Sequence, residues 1–475
     1  MRKMKKLIIF FTAALIFGCT GDFGDVVDFK EVENPNLSEA SVVGQPNSAT
    51  IWLSGLERQL ALVFQETLIL AELGSDNYVN TQTFFNQFMD GLAIQITDPD
   101  MRDTQRDIQR LRELAIFGIN EVGPGDPNYD AETEAEFNYF EGLAYLFSGM
   151  YFSALPAEPV GVPVTSEQHY LNAISAFDTA IAINAKPEYH LAKARANYYL
   201  GNQSGAVTAA TAALALDNSF DRTVRFDESN GPSNTFEDAL YERATFDDLQ
   251  PLPTLDFLDP KYSFLSPNED APVHYMKAEE AYLILAEAAL ADNDIASART
   301  NLTSLLDLIA TREVRSIDDS IEQRSQVDEG SRPDDSSIVV NGRSGLVLSR
   351  QDGNVDIPSV SGTSLTADDI AAMQDDDAGL ELLYRTRQEV FIAEGIRLVD
   401  MGVKLVIDEN EILLNENINE GDPGTVAVIP SFIAAVVSDL DAINYEPGSS
   451  VATTVIDLNE VLIANKSSDQ VVPFE

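Results

Sequence analysis

Apolar residues recur every three or four positions through much of the chain, the spacing that places them on one face of an α-helix. The first such stretch runs from Ile51 to about Leu73, and Trp52 lies on its apolar face. The same pattern predicts helices over 98–119, 132–154, 166–184, 188–200, 204–216, 275–291, 294–312 and 378–407. We therefore predict a mainly α-helical fold with Trp52 in the core, a ligand contact being the alternative for that side chain.

Two long segments, 220–272 and 314–366, interrupt the predicted helices. Both are rich in Ser, Asp, Asn, Gly and Pro, which favour turns over helices and strands. Loops of this length inside a compact domain are often functional. We therefore predict a single domain over 49–475 in which these insertions, carrying short strands at most, build a binding face.

Small residues in the helical part recur at a regular spacing. Intervals of seven and five residues separate Ala194, Gly201 and Ala206, and again Ala286, Asn293 and Ala298; Ala213 follows Ala206 by seven, and Gly142, Ala173, Phe177 and Ala180 form a partial match. Small residues let two antiparallel helices approach closely, and the spacing resembles that of the tetratricopeptide repeat. It predicts three to four helical hairpins, with a generic alanine-rich bundle as the alternative.

The amino-terminal residues have the pattern of an export signal. Four basic side chains within residues 2–6 precede an apolar segment from Leu7 to Phe17, and small Gly18 precedes Cys19. Eleven residues are too few for a transmembrane helix, which needs about 20. Cys19 is the only cysteine, so no intramolecular disulfide can form. We predict a signal peptide over 1–18 and a polar tether over 19–48.

The chain is strongly acidic, with 78 Asp and Glu against 30 Lys and Arg and a net charge of −48. Such a surface repels the phosphates of nucleic acid, so a nucleic-acid partner is excluded. The acidic runs at 98–103 and 375–377 lack the spacing and central glycine of a calcium-binding EF-hand loop. We interpret this charge mainly as solvated surface, suited to saline surroundings.

No common catalytic motif is present. The HExxH zinc helix, the GxSxG elbow and the phosphate-binding GxxxxGKS loop are all missing from the sequence. His169, His190 and His274 show no metal-ligand spacing. We therefore expect a binding protein that needs no cofactor. A surface glycosidase or protease is one alternative; another is a tetratricopeptide-like scaffold lipoprotein of an outer-membrane assembly, which the long insertions argue against.

Several segments, in order, resemble the SusD/RagB family of Bacteroidetes nutrient-uptake lipoproteins. They are the lipobox-like LIFGC ending at Cys19, NPNL at 34–37, EFNYFEGLAYLFSGMYFSALP at 136–156, GVPV at 161–164, the AEEAYLILAEA segment at 278–288, and Arg387 to Asp400, close to the family's "ERxxELxxEGxRxxDxxR" motif. Thr386 and Lys404 depart from that motif, and residues 408–475 are poorly covered. The resemblance spans roughly residues 19–407.

The resemblance implies a SusD-like fold of tetratricopeptide-like hairpins with long inserted loops. It implies lipid on Cys19 and an outer-membrane protein facing the cell exterior, whereas an ordinary secretory signal with a coincidental cysteine is the alternative. It also implies that the protein binds a nutrient, most simply an oligosaccharide, and delivers it to a SusC-like TonB-dependent transporter.

The charged residues of the carboxyl-terminal motif are interpreted as structural. Glu389, Glu394, Arg397 and Asp400 are spaced by five, three and three residues on one predicted helix, so they can form ion pairs with each other and with a neighbouring helix. We expect Arg385 and Arg387 to join the same network.

Ligand contacts are predicted in the segment after the first long helix, where the family's ligand residues often lie. Our candidates are Asp76, Asn77, Tyr78 and Asn80, because carboxylates and amides hydrogen-bond sugar hydroxyls and aromatic rings stack on sugar rings. A helix cap and turn is the alternative interpretation of this segment. Secondary candidates in the insertions are Tyr262, Phe264, Arg343 and Arg350.

Overall fold

A computed structural model describes residues 43–81, 86–241, 249–259, 261, 270–318, 320, 330–349 and 353–475. The longer helices in these ranges are α1 (Ser48–Leu73), α2 (Pro99–Phe117), α3 (Ala131–Tyr151), α4 (Ser166–Ile183), α5 (Pro187–Tyr199), α6 (Gln203–Leu216), α7 (Ala278–Ala291), α8 (Ile295–Ile309) and α9 (Asp377–Phe391). Shorter helices are Gln87–Asp90, Gly123–Gly125, Thr235–Tyr241, Ala367–Ala372, Arg397–Asp400, Glu409–Leu414, Ser431–Ala434 and Leu458–Ala464. The mainly α-helical prediction is confirmed, but the expectation that the insertions carry short strands at most is wrong, because Thr235–Tyr241 lies within the first insertion.

Three pairs of consecutive helices pack as hairpins: α3 with α4, α5 with α6, and α7 with α8. The small residues of the repeat lie at the helix contacts, as Ala194, Ala206, Ala286 and Ala298 are fully buried. Gly142 faces the Phe177 ring so closely that a β-carbon would overlap it. The repeat spacing therefore predicted the three hairpins, because it records which positions must be small.

The ends of the hairpin helices are fixed by local sequence signals. The Asp130 carboxylate accepts from the amide of Thr133 at the start of α3, and Thr165 accepts from the amide of Gln168 at the start of α4. Pro187 occupies the first turn of α5, where its missing N–H costs no hydrogen bond. These caps are the reason that the predicted bounds lie within a few residues of those observed.

The strands are short and form five small sheets within the described ranges. The antiparallel pairs are β1 (Tyr78–Asn80) with β5 (Leu249–Pro251), β2 (Ala154–Pro156) with β3 (Pro163–Thr165), β4 (Asp221–Val224) with β6 (Val273–Lys277), β7 (Val314–Asp318) with β9 (Asn354–Pro358), and β10 (Ile443–Asn444) with β11 (Val451–Thr454). Strand β8 (Val339–Val340) adds to β11 in parallel. The pairs β1–β5 and β8–β11 thus join each insertion to another part of the chain.

One large apolar cluster runs through all the hairpins and reaches α1, α2 and α9. Trp52 packs against this cluster, and its indole N–H donates to the Leu114 carbonyl at 2.8 Å. Its ring centroid lies 5.2 Å from that of Phe117. Trp52 is thus used in packing α1 against α2, as predicted. No helix within the described ranges combines the length and apolarity that a membrane span requires.

The prediction of one helix over 378–407 is wrong. Helix α9 ends at Phe391, and a separate short helix begins at Arg397. Gly395, between them, has φ of 76°, in the left-handed region that a right-handed helix cannot contain. Its amide donates to the buried Glu72 carboxylate at the end of α1, at 2.8 Å. The Glu72 side chain, which comes from a distant part of the sequence, therefore stabilises the break between the two helices.

Candidate functional site

The segment that follows α1 is buried against α9. Asp76 and Asn77 are 4% and 0% exposed, Tyr78 is fully buried, and Asn80 is half-buried. Asp76 receives two hydrogen bonds from Arg397, at 2.6 Å from Nε and 2.9 Å from Nη2. The Asp76 carboxylate, which the sequence analysis proposed as a ligand contact, is therefore one partner of a bidentate ion pair.

The remaining polar atoms around this pair form a closed network. Gln388 Nε2 donates to Asp76 Oδ2 and to Asn77 Oδ1, each at 3.0 Å. Asn459 Nδ2 donates to Gln388 Oε1 at 3.0 Å, while its Oδ1 accepts from Arg397 Nη1 at 2.9 Å. Asn459 belongs to the region that the sequence resemblance did not cover, and no sequence signal pointed to it.

The other two candidates lie beside this network. The Tyr78 hydroxyl donates to Asp259 Oδ1 at 3.3 Å, and its ring packs edge-on against Phe236 at 5.4 Å between centroids. Asn80 ends β1, where its amide donates to Asp90 Oδ1 at 3.3 Å. Among the four candidates Asn80 has the most accessible side chain, and ligand contact by these residues stays a prediction.

The motif residues form buried ion pairs, as the sequence predicted. Arg387 donates to both carboxylate oxygens of Asp400, at 2.7 and 3.1 Å. Glu394 accepts from Lys277 at 2.5 Å and also from Lys261. Burial lowers the pKa of Lys261 to about 8, against the opposing attraction of Glu394. These pairs hold the segment after α9 in place.

Burial also affects Glu72, the carboxylate at the break after α9. It raises the pKa of this group to about 7. The Asn77 side-chain amide and the Gly395 backbone amide donate to the carboxylate at 2.7 and 2.8 Å, and both bonds favour its charged form. Glu72 thus links the predicted ligand segment to the break after α9, because it accepts hydrogen bonds from both.

A small polar pocket opens beside the Asp76 network, and we call it the Arg385 pocket. It has room for about 20 Å³. Its walls come from both insertions, from α9 and from the carboxyl-terminal region, and they include Asp76, Leu252, Leu255, Asn341, Arg343, Arg385, Gln388, Glu389, Thr454, Asp457 and Asn459. The structure thus brings together Asp76 and Arg343, two candidates from the sequence. Cys19, Tyr262, Phe264 and Arg350 lie outside the described residues.

Arg385 departs from the predicted ion-pair network. Its Nε is buried, and no hydrogen bond or ion pair of its guanidinium occurs with any residue that the structure describes. Helical geometry explains why Arg387 behaves differently. Two residues apart on α9, the side chains point about 200° apart, so Arg387 faces Asp400 and Arg385 faces the pocket. The expectation that both arginines join one network is therefore wrong for Arg385.

A larger cleft of about 800 Å³ lies between α1, the start of α3 and β4. Arg222 occupies its floor, donating to Glu136 at 2.7 Å and stacking 4.6 Å above the Tyr139 ring. Lys186 also donates to Glu136, at 2.8 Å. The cleft is large enough for a small ligand, although Arg222, Lys186 and Glu136 within it are already paired with each other.

A third cavity, of about 470 Å³, contains Lys404, at which the sequence departs from the end of the family motif. Its ammonium donates to the carbonyls of Gly149 and Met150 at the end of α3, at 2.9 and 2.7 Å. Burial lowers the pKa of Lys404 to about 7, while the negative end of the α3 dipole favours its charged form. Lys404 therefore caps a helix.

The structure offers no constellation for a metal ion within the described ranges, where no three His, Cys, Asp or Glu side chains come together suitably. The acidic runs noted in the sequence have other partners. Asp98 accepts from the amide of Asp100 at the start of α2, and Asp376 accepts from the amide of Gly379 at the start of α9. Both runs thus supply helix caps.

No family model matches the sequence, and no curated protein is significantly similar to it. Solved structures with the same architecture do exist. A protein described as sugar-binding from Bacteroides vulgatus aligns with a TM-score of 0.54 at 13% identity, over 79% of this chain and 98% of that one. A laminarin-binding SusD-like protein gives 0.50 at 13% identity, over 79% and 99% of the two chains.

A SusD-like protein from Bacteroides fragilis gives a TM-score of 0.50 at 12% identity, over 77% of this chain and 87% of that one. At such low identity these likenesses concern the fold alone. The alignments cover 87%, 98% and 99% of the three similar chains. This agrees with the helical hairpins and insertions described above. The chain therefore has the SusD-like fold that the order of its sequence segments predicted.

Proposed function

We propose that this protein is a lipid-anchored outer-membrane protein that binds an oligosaccharide at the cell surface and delivers it, chemically unchanged, to a TonB-dependent transporter. The observation that carries the proposal is the SusD-like fold. Two of the similar solved structures are described as binding sugar and laminarin, and the same fold can present the same class of ligand here.

The composition of the Arg385 pocket supports a saccharide ligand. Sugar hydroxyls both donate and accept hydrogen bonds, so a site for them needs carboxylates, amides and guanidinium groups on one surface. Asn341, Arg343 and Asp457 supply an amide, a guanidinium and a carboxylate, while the buried side chains of Leu252 and Leu255 line the pocket from the core. The pocket itself holds only a substituent, so the sugar ring would rest on the rim.

The anchor is proposed from the sequence. Attachment of acyl chains to Cys19 would contribute roughly 0.8 kcal/mol per buried CH₂, enough for several chains to hold the protein on a bilayer persistently. Residues 20–42 would then serve as a tether between the lipid and Val43, the first described residue. A tether of this length lets the body lie beside a transporter.

Calorimetric titration of the purified full chain with a panel of oligosaccharides tests the binding function. We expect one saccharide class to bind with one ligand per protein. The same panel should contain short peptides, and binding of peptides in place of every saccharide would refute the sugar assignment.

Fractionation of producing cells tests the anchor and the partner. Cys19→Ala should move the protein from the membrane fraction to the soluble fraction, whereas Thr20→Ala, the adjacent matched control, should leave it membrane-bound. An outer-membrane transporter should co-purify with the wild-type protein from its own cells. Retention of Cys19→Ala in the membrane would refute lipid anchoring at this residue.

A further inference from the structure

The Arg385 pocket contains a guanidinium that forms no ion pair with any residue the structure describes, although Glu381, one helical turn earlier on α9, attracts it at longer range. The guanidinium of Arg387 is paired with Asp400 and that of Arg397 with Asp76. By contrast, Arg385 has a buried Nε without a partner and makes no ion pair with any described residue. Leaving a buried donor unsatisfied costs free energy, so the unpartnered Nε of this half-buried arginine requires an explanation.

A second guanidinium, that of Arg343, faces the same pocket. Its Nη1 donates to Ser364 Oγ at 2.9 Å and lies 3.6 Å from Glu389 Oε1. Burial lowers the pKa of Arg343, and the positive charge of Arg385 lowers it further. Arg343 is thus attracted by Glu389, its ion-pair partner, and by Asp457, while Arg385 repels it. An anion between the two arginines would relieve this repulsion.

The carboxylates around the pocket are already engaged. Asp76 is paired with Arg397, and Glu389 accepts from Thr363 Oγ1 and from the amide and hydroxyl of Ser364, at 2.6 to 2.8 Å. Asp457, on the rim, caps the helix that follows by accepting from the Asn459 amide at 2.9 Å. It makes no ion pair with either arginine within the described part of the chain.

We propose that the Arg385 pocket binds an oxyanion substituent of the saccharide, the carboxylate of a uronic acid or a sulfate ester, between Arg343 and Arg385. The inference rests on the proposed function, since it specifies which saccharides the protein binds. Room for about 20 Å³ is little more than the roughly 10–15 Å³ that a single water needs. One oxygen of the oxyanion would therefore enter the pocket, and the rest of the group would lie at its mouth.

The chemistry of guanidinium makes this pocket selective. Its planar donors match the oxygens of a carboxylate or sulfate in pairs, whereas a neutral hydroxyl leaves the charge of Arg385 unbalanced. The rest of the surface carries a large negative charge and repels anionic ligands at long range. The attraction of Arg343 and Arg385 must therefore offset this repulsion for an acidic saccharide to bind at the pocket.

The test uses three oligosaccharides that share one backbone: neutral, uronate-containing and sulfated. Each is titrated into the full-length wild-type protein and into Arg385→Gln. We expect an acidic ligand to bind the wild type at least about tenfold more tightly than the neutral one, and Arg385→Gln to remove that advantage. Comparison of the uronate with the sulfate shows which oxyanion fits. Arg110→Gln, a change of equal charge at an exposed position on α2, should have no effect.

A second measurement does not depend on a folded variant. The wild-type affinity for the acidic ligand should change with NaCl concentration much more than that for the neutral ligand, since only the former pairs charges. Preference for the neutral ligand, or equal affinity for both in the wild type, would overturn the inference while leaving the proposed function intact. Failure of all three saccharides, with binding of peptides instead, would overturn both.

Discussion

Asp76 and Arg397 form a doubly hydrogen-bonded ion pair between residues 321 positions apart, and both side chains are almost completely buried. Removing water from two charges is expensive, and the pair recovers this cost only while both partners are present. Gln388 and Asn459 add further hydrogen bonds to its two ends. The energetic role of Asp76 is therefore to prevent Arg397 from being buried alone.

We expect Asp76→Ala to lower the free energy of unfolding by about 3–5 kcal/mol, because it leaves the Arg397 charge buried without a partner. Urea denaturation followed by circular dichroism measures this change. Asp307→Ala, the same substitution at an exposed position of α8, should change stability by no more than about 0.5 kcal/mol. A folded, equally stable Asp76→Ala protein that no longer binds saccharide would instead make Asp76 a direct ligand contact.

At the scale of elements, the hairpins depend on positions where only a small residue fits. Gly142 on α3 lies against the Phe177 ring of α4. Both residues are in the core of the first hairpin, where interiors are close-packed and adjust little to added volume. The close approach of these two helices therefore requires glycine at this position.

Gly142→Ala should lower the free energy of unfolding by about 1–3 kcal/mol, since the added methyl group overlaps the Phe177 ring. Gly55→Ala is the matched control in α1, where a β-carbon meets nothing within 4 Å and alanine favours the helix by roughly 1 kcal/mol. Thermal or urea unfolding compares the two variants. If both variants proved equally stable, the close contact between α3 and α4 would be disproved.

An element could be predicted when the residues that fix its bounds lie within its own sequence. The hairpin helices have their caps and small residues within their own sequence, so periodicity was sufficient. The end of α9 depends on Glu72, 323 residues before Gly395, and no local pattern contains that information. The Arg385 pocket is similar, because Arg343 and Asp457 meet only once the strands β8 and β11 have paired.

At the scale of the whole molecule, the net charge of −48 opposes compactness. Most acidic side chains repel one another across the surface, and dissolved ions screen this repulsion. The buried ion pairs around α9 are little affected by salt because water and ions do not reach them. Stability should therefore depend on ionic strength through the surface charges alone.

We expect the unfolding midpoint temperature to rise with NaCl, most steeply between about 10 and 150 mM, where the screening length falls from about 30 to 8 Å. Differential scanning calorimetry at constant pH measures it. A neutral solute at equal osmolality serves as control and should give no comparable rise in this range. A midpoint that falls or stays constant over the same salt range would show that surface repulsion does not limit the stability of the fold.

The network of Asp76, Gln388, Arg397 and Asn459 also has a consequence for the order of folding. Each hairpin can form from neighbouring segments as they become available, because its contacts are local and such contacts form quickly. The end of α1 must wait for partners more than 300 residues later, and closing so long a loop is slow. Chains that stop short of residue 459 leave Arg397 and Gln388 with unsatisfied groups, so the packed state becomes available only late in synthesis.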